Sequence, residues 1–108
     1  MMNRIDLFKD CTGFEWDQGN LLKNWERHQV TAGECEQLFF NRPLVVAPDV
    51  KHSQQEPRFY ALGQTDIERR LFVVFTVRRT FIRVISVRDM HWKERKAYET
   101  YEKTNPGV

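Results

Sequence analysis

The chain has 108 residues, 41% of them hydrophobic and 30% charged. That composition fits one domain and carries no disorder signature, and no apolar run approaches the roughly 20 residues of a membrane-spanning helix. Net charge is +2, and the opening MMNRIDLFKD lacks the apolar stretch of a secretory signal, so a cytoplasmic location without membrane contact is expected.

In chain order, residues 1–12 read as a loose N-terminal extension of one domain spanning 1–108. Gly13 to Asp17 reads as a short strand running into a helix, with Asp17 as its N-cap. Leu21, Leu22, Trp25 and His28 recur at helical spacing, so Trp16 and Trp25 are expected in the core and His28 in the core or at a cap. Thr31 and Glu34 have capping-box spacing and start a second helix, buried through Cys35, Leu38 and Phe39 and broken near Asn41-Arg42-Pro43. The period then changes. Residues 44–47 form a strand stopped by Pro48-Asp49, a polar loop runs from Val50 to Pro57, and strands follow at Arg58–Gln64, Leu71–Val77 and Thr80–Val87. Arg78-Arg79 and Thr65–Arg70 read as hairpin connections. A last helix covers about Met90 to Lys103, with Asp89 as its cap and Trp92, Ala97, Tyr98 and Tyr101 as a partial apolar stripe, and Asn105-Pro106-Gly107 ends it. Helices, then strands, then a closing helix predict an α+β fold. Its small antiparallel sheet has about four strands, packed with two N-terminal helices and one C-terminal helix.

The charges are unevenly distributed. Residues 1–57 carry six Lys and Arg against nine Asp and Glu, whereas residues 58–108 carry eleven against six. All seven cations from Arg58 to Arg88 are arginine, whose planar fork suits phosphate better than the point charge of lysine. This asymmetry favours a polyanionic partner. Cys11 and Cys35 belong to no ligand cluster and read as reduced thiols. With no Gly-rich phosphate loop, no GxSxG and no HExxH, no cofactor and no metal site is expected.

The order and spacing of several pieces resemble the BrnT toxins over about residues 13–102. The pieces are GFEWD (13–17), His28-x-Val30, Phe39-Phe40, Pro48-Asp49-x-x-His52-Ser53, Glu56-x-Arg58-Phe59-x-x-x-Gly63, FVVFT (72–76), IRVIS-x-R (82–88) and Glu94-Arg95-x-x-Tyr98-Glu99. The resemblance implies a RelE-like ribonuclease toxin that cuts RNA without a metal or cofactor and inhibits translation and growth. It also implies a BrnA-like antitoxin with a ribbon-helix-helix half, which neutralises the toxin and alone contacts operator DNA. The chain departs from the family pattern at Gln29, where a glycine is usual, and at Pro57, Val77, Arg79, His91 and Trp92.

Metal-free cleavage uses the RNA 2′-OH as nucleophile. It needs a base, an acid for the leaving oxygen, and cations around the charged transition state. Arg58, Arg83 and Arg88 are the candidates for the cations. Arg83 lies within an apolar strand, where a charge requires an open face or a carboxylate partner such as Glu56 or Glu94. Arg58 also reads as a salt bridge to a loop acid, and Arg88 as a surface cation. For acid and base the nominees are His91, Glu94, Tyr98 and His52, each with a plain structural alternative. Arg78, Arg79, Trp92 and Tyr98 are candidate RNA contacts, and Trp92 also fits the core or an antitoxin interface. The competing function is a catalytically inactive module that only pairs with antitoxin or nucleic acid.

Overall fold

The computed structural model describes residues 7–52 and 55–104. Its elements are β1 (Gly13–Trp16), α1 (Gln18–His28), α2 (Ala32–Gln37) continued by a 3-10 turn (Leu38–Phe40), and β2 (Val45–Pro48). A second 3-10 turn (Val50–His52), β3 (Phe59–Gln64), β4 (Arg70–Arg78), β5 (Phe81–Asp89) and α3 (Trp92–Thr104) complete it.

Strands β2 to β5 form the expected antiparallel meander, but the sheet has five strands and is mixed, in the order β1-β5-β4-β3-β2. The fifth is β1, which pairs in parallel with β5 from Gly13 opposite Phe81 to Trp16 opposite Val84. Four residues are too few for their alternation to reveal a sheet member, and a parallel partner sixty-odd positions away leaves no local signal.

Both cap signals hold. Asp17 accepts the Asn20 N–H (3.1 Å), and Thr31 and Glu34 form a reciprocal capping box. Helix α1 closes at Gln29 in the left-handed region (φ 52°), although the residue is not glycine. Its side-chain amide donates to the carbonyls of Trp25 and Glu26, satisfying acceptors that the helix end leaves open.

The main core lies between one sheet face and the N-terminal helices. It includes Leu71, Val73 and Phe75 of β4, Val84 and Val87 of β5, and Cys35 and Leu38. A fully buried side chain of this size contributes about 1.5–3 kcal/mol. Gly63 permits the close packing of α2 and its turn, since a Cβ there would stand 3.0 Å from Leu38 Cγ. A smaller cluster of Leu62, Met90 and Tyr98 seats α3 on one end of the opposite face. By register, the rest of that face presents Tyr60, Val74, Thr76, Arg83, Ser86 and Glu15.

Three expectations are corrected. Of the presumed loose extension, residues 1–6 lie outside the described residues, but Leu7 and Phe8 pack on the core and Thr12 N–H donates to Thr80 O (2.7 Å). Trp25 and Leu22 are exposed (53% and 57%), because α1 rests on the free edge of β5 through Asn24 instead. There Asn24 Oδ1 accepts the Val87 N–H (3.2 Å), beyond the point where β1 stops pairing. Asp89 does not cap α3. Its carboxylate is held bidentately by Arg69 (2.8 and 3.0 Å), and Glu94 accepts the His91 N–H at the helix start. The expected helix-ending Asn105-Pro106-Gly107 lies outside the described residues.

Arg69 organises this corner of the fold. Besides Asp89 it donates to Glu34 and to the carbonyls of Gln29 and His28, each at 3.0 Å, so its fork ties the end of α1 and the start of α2 to the end of β5. The Arg69 hydrogen bond holds the Asp89 carboxyl below the usual range. Glu34 is lowered first by the Thr31 N–H and then by Arg69.

Candidate active site

Of the sequence-nominated arginines, Arg78, Arg83 and Arg88 lie on the open face in two groups. Arg83 on β5 stands between Thr76 of β4 and Glu15 of β1. Its guanidinium donates to Glu15 (2.6 Å) and lies 3.7 Å from Asp17. The partner is thus Glu15, neither Glu56 nor Glu94. The short alternation of β1 hid this pairing from the sequence. Arg78, at the end of β4, pairs with Glu56 (3.2 Å) and lies 4.0 Å from Glu15. Asp17, Arg83, Glu15, Arg78 and Glu56 therefore make one continuous strip of alternating charge.

Glu56 leads into a cavity of about 310 Å³ that it lines with Lys51, His52, Gln55 and Arg58. Two bonds fix the segment carrying Arg58. Buried Thr76 Oγ donates to Pro57 O (2.6 Å), and Asp49 N–H donates to Arg58 O (2.8 Å). His52 is held at Nδ1 by the Asp49 carboxylate (3.0 Å) while its side chain stays 57% exposed. A carboxylate at Nδ1 fixes the proton there and leaves Nε2 as the ring's basic atom. The pairing follows from the 3-10 turn Val50–His52, which folds positions three apart onto each other.

The second group lies at the start of α3. Arg88 is bidentate to Glu94 (2.8 and 3.0 Å), with its guanidinium 4.2 Å from the Phe72 ring centre. Phe72 in turn stacks on Tyr60. Burial pushes the Glu94 carboxyl up, but Arg88 and the His91 N–H together outweigh it and hold the group below the ordinary range. With both oxygens engaged, Glu94 suits orienting Arg88 better than carrying a proton at neutral pH. His91 is exposed beside it, and Trp92 stands 70% exposed next to Lys93. The partners of Arg83 and Arg88 on β4, Thr76 and Phe72, are four residues apart, which separates the two groups by roughly 13 Å along the sheet.

Arg79 sits exposed in the β4–β5 turn in the left-handed region (φ 58°). Tyr98 does not belong to any surface. It is fully buried and donates to Pro43 O (2.5 Å), so its nomination as an RNA contact is corrected: it anchors α3 to the sheet. Burial raises its phenol pKa, which also removes it as a proton donor or acceptor near neutrality. Glu15, Asp49, Tyr60 and Thr76 were not nominated from sequence as site residues, although the three-residue spacing of Asp49 and His52 was a usable signal. Among the described residues no three His, Cys, Asp or Glu side chains converge as a metal site. No helix among them is long and apolar enough to cross a membrane.

This arrangement is a small α+β domain with guanidinium groups along one open sheet face, and its fold resembles a known toxin. The crystal structure of the Brucella abortus ribonuclease toxin, BrnT, matches with a TM-score of 0.57 and 22% identity, covering 74% of this chain and 97% of that one. The model of the BrnT family, the ribonuclease toxins of type II toxin–antitoxin systems, matches residues 16–94, and the chain belongs to that family. No curated protein sequence matches it. Membership of a type II system implies an antitoxin partner.

Proposed function

We propose that the chain is a metal-independent, RelE-like endoribonuclease toxin acting in the cytoplasm, with its chemistry at the His52 cavity and the arginines that border it. The observation that supports this most is the Asp49–His52 pair opening onto a cavity shared with Arg58, continuous through Glu56 with Arg78 and Arg83.

In this reading His52 Nε2 takes the proton of a ribose 2′-OH. The 2′ oxygen then bonds to the adjacent phosphorus while the bond from phosphorus to the 5′ oxygen breaks. The products are a 2′,3′-cyclic phosphate and a 5′-OH, the latter protonated by Lys51 on the same cavity. Arg58 and Arg83 stabilise the extra charge on the phosphoryl oxygens. Arg88, its plane set by Glu94, grips a phosphate farther along the strand. Arg78, Arg79 and His91 add backbone contacts, and Trp92 offers a face for a base to stack on. A BrnA-like antitoxin with a ribbon-helix-helix segment neutralises the toxin and carries any operator contact.

The test is growth after induction without antitoxin. Wild type should arrest growth and His52→Ala should not. The same assay meets a second reading, an inactive binding module. That reading is favoured by the fact that Arg78, Arg83 and Arg88 each already hold a carboxylate of their own chain. Unimpeded growth on accumulating folded wild-type protein would favour the module.

A further inference from the structure

Helix α1 carries a second basic site that the proposed reaction does not use. A cavity of about 260 Å³ lies where α1 crosses the free edge of β5, lined from α1 by Asn20, Lys23, Asn24, Arg27 and His28 and from β5 by Ile85 and Ser86. Three basic side chains and no carboxylate face it. None of the ion pairs among the described residues includes Lys23 or Arg27, in contrast to the neutralised arginines of the sheet.

Asn24 supplies an independent observation. It is 5% exposed, and its Nδ2 has no hydrogen-bond partner. The amide cannot turn to relieve this, because Oδ1 is the acceptor for Val87 N–H at the unpaired stretch of β5. A buried N–H left without an acceptor is unfavourable, because it has given up water and gained nothing in return. Asn24 lines this cavity, and an oxygen seated there reaches Nδ2 once the lining parts, since the atom has almost no exposed surface of its own. The helix dipole accounts for cations at the end of α1, hence for Arg27 and His28. It accounts neither for Lys23 a turn earlier nor for the unsatisfied amide.

Ser86 links the two regions, since it lines this cavity and also lies on the open sheet face opposite Val74, between the rows of Arg83 and Arg88. We infer that the α1 cavity binds a phosphate of the RNA strand flanking the one cleaved, receiving the chain as it leaves the sheet face over the β5 edge. This rests on the ribonuclease reading and adds to it a substrate subsite on α1.

The experiment compares wild type with Lys23→Ala/Arg27→Ala, both exposed positions whose loss leaves the core intact. Binding of a short 2′-O-methyl RNA, which cannot be cleaved, is followed by fluorescence anisotropy across a salt series, and cleavage of the unmodified RNA is measured in parallel. The variant should bind at least fivefold more weakly, and its slope of log affinity against log salt should be shallower by about 0.7, the value for one lost single-strand phosphate contact. The cleavage defect should fall mainly on KM, and the Asn24 side-chain amide resonance of wild type should shift on adding the RNA. Unchanged affinity and slope in the variant, with wild type cutting RNA normally, overturns the subsite and leaves the ribonuclease reading standing. A variant-sensitive slope with no cutting by wild type supports the subsite and overturns that reading instead. Weaker antitoxin binding with unchanged RNA binding assigns the patch to the antitoxin and overturns the inference. If wild type binds no RNA, both fall.

Discussion

The Arg83 guanidinium and the Glu15 carboxylate meet at 2.6 Å across a parallel strand pair. The contact holds Arg83 extended over the open face, and it places an anion where a phosphate would have to bind. Replacing Glu15 with Gln should therefore release Arg83 from its nearest carboxylate, while Arg78 keeps Glu56. RNA affinity should rise about three- to tenfold, equivalent to roughly 0.7–1.4 kcal/mol. Stability should fall by less than about 1 kcal/mol, since the pair is only partly buried. Anisotropy and urea unfolding measure the two effects. Weaker RNA binding in the variant would mean that Glu15 positions Arg83 more than it competes for it.

Arg69 has no such double role. Arg69→Ala leaves Asp89 and Glu34 unpaired and two helix-end carbonyls unsatisfied, so unfolding free energy should drop by about 2–3 kcal/mol. The same network sets an acid limit. Asp89 and Glu34 are depressed below the ordinary carboxyl range near 4. Their contribution is complete above that range and is lost as pH falls through the depressed values, because the unfolded chain then binds more protons. Wild-type urea midpoints should fall below about pH 4, and the fall should be smaller in Arg69→Ala. Parallel pH profiles in the two proteins would refute this.

At the start of α3, orientation is separable from charge. Arg88→Lys keeps the cation but loses the bidentate contact with Glu94. It should raise KM for RNA several-fold with little loss of stability. Trp92→Ala should do the same through lost stacking, by about 1–3 kcal/mol of RNA binding, while the exposed side chain leaves the melting temperature unchanged. A melting temperature lowered by several degrees in Trp92→Ala would show that the ring supports the fold.

Local signals reported well on local structure. Asp17, Thr31 and Glu34 cap the helices their spacing indicated, the apolar run Leu71–Val77 lies within β4, and the run from Thr80 to Val87 lies within β5 from Phe81 onward. What stayed hidden depended on partners distant in sequence. Trp25 matches the apolar period of α1, yet a short sheet edge covers only the Asn24 side of that helix. Tyr98 and Glu94 are four apart on one helix, but one turns into the core and the other to Arg88. Arginine enrichment was legible, whereas the carboxylate that Arg83 holds was not, because Glu15 reaches it only through the parallel pairing of β1.

Most direct is cleavage of RNA by the purified, antitoxin-free protein in EDTA, with the ends of the products identified. Wild type should release fragments bearing 2′,3′-cyclic phosphate and 5′-OH termini. His52→Ala should lower kcat by about 10²–10⁴-fold and Arg83→Ala by about 10²–10³-fold, without loss of fold. Intact RNA in the presence of folded wild type, or cleavage that His52→Ala leaves at full rate, would contradict the account.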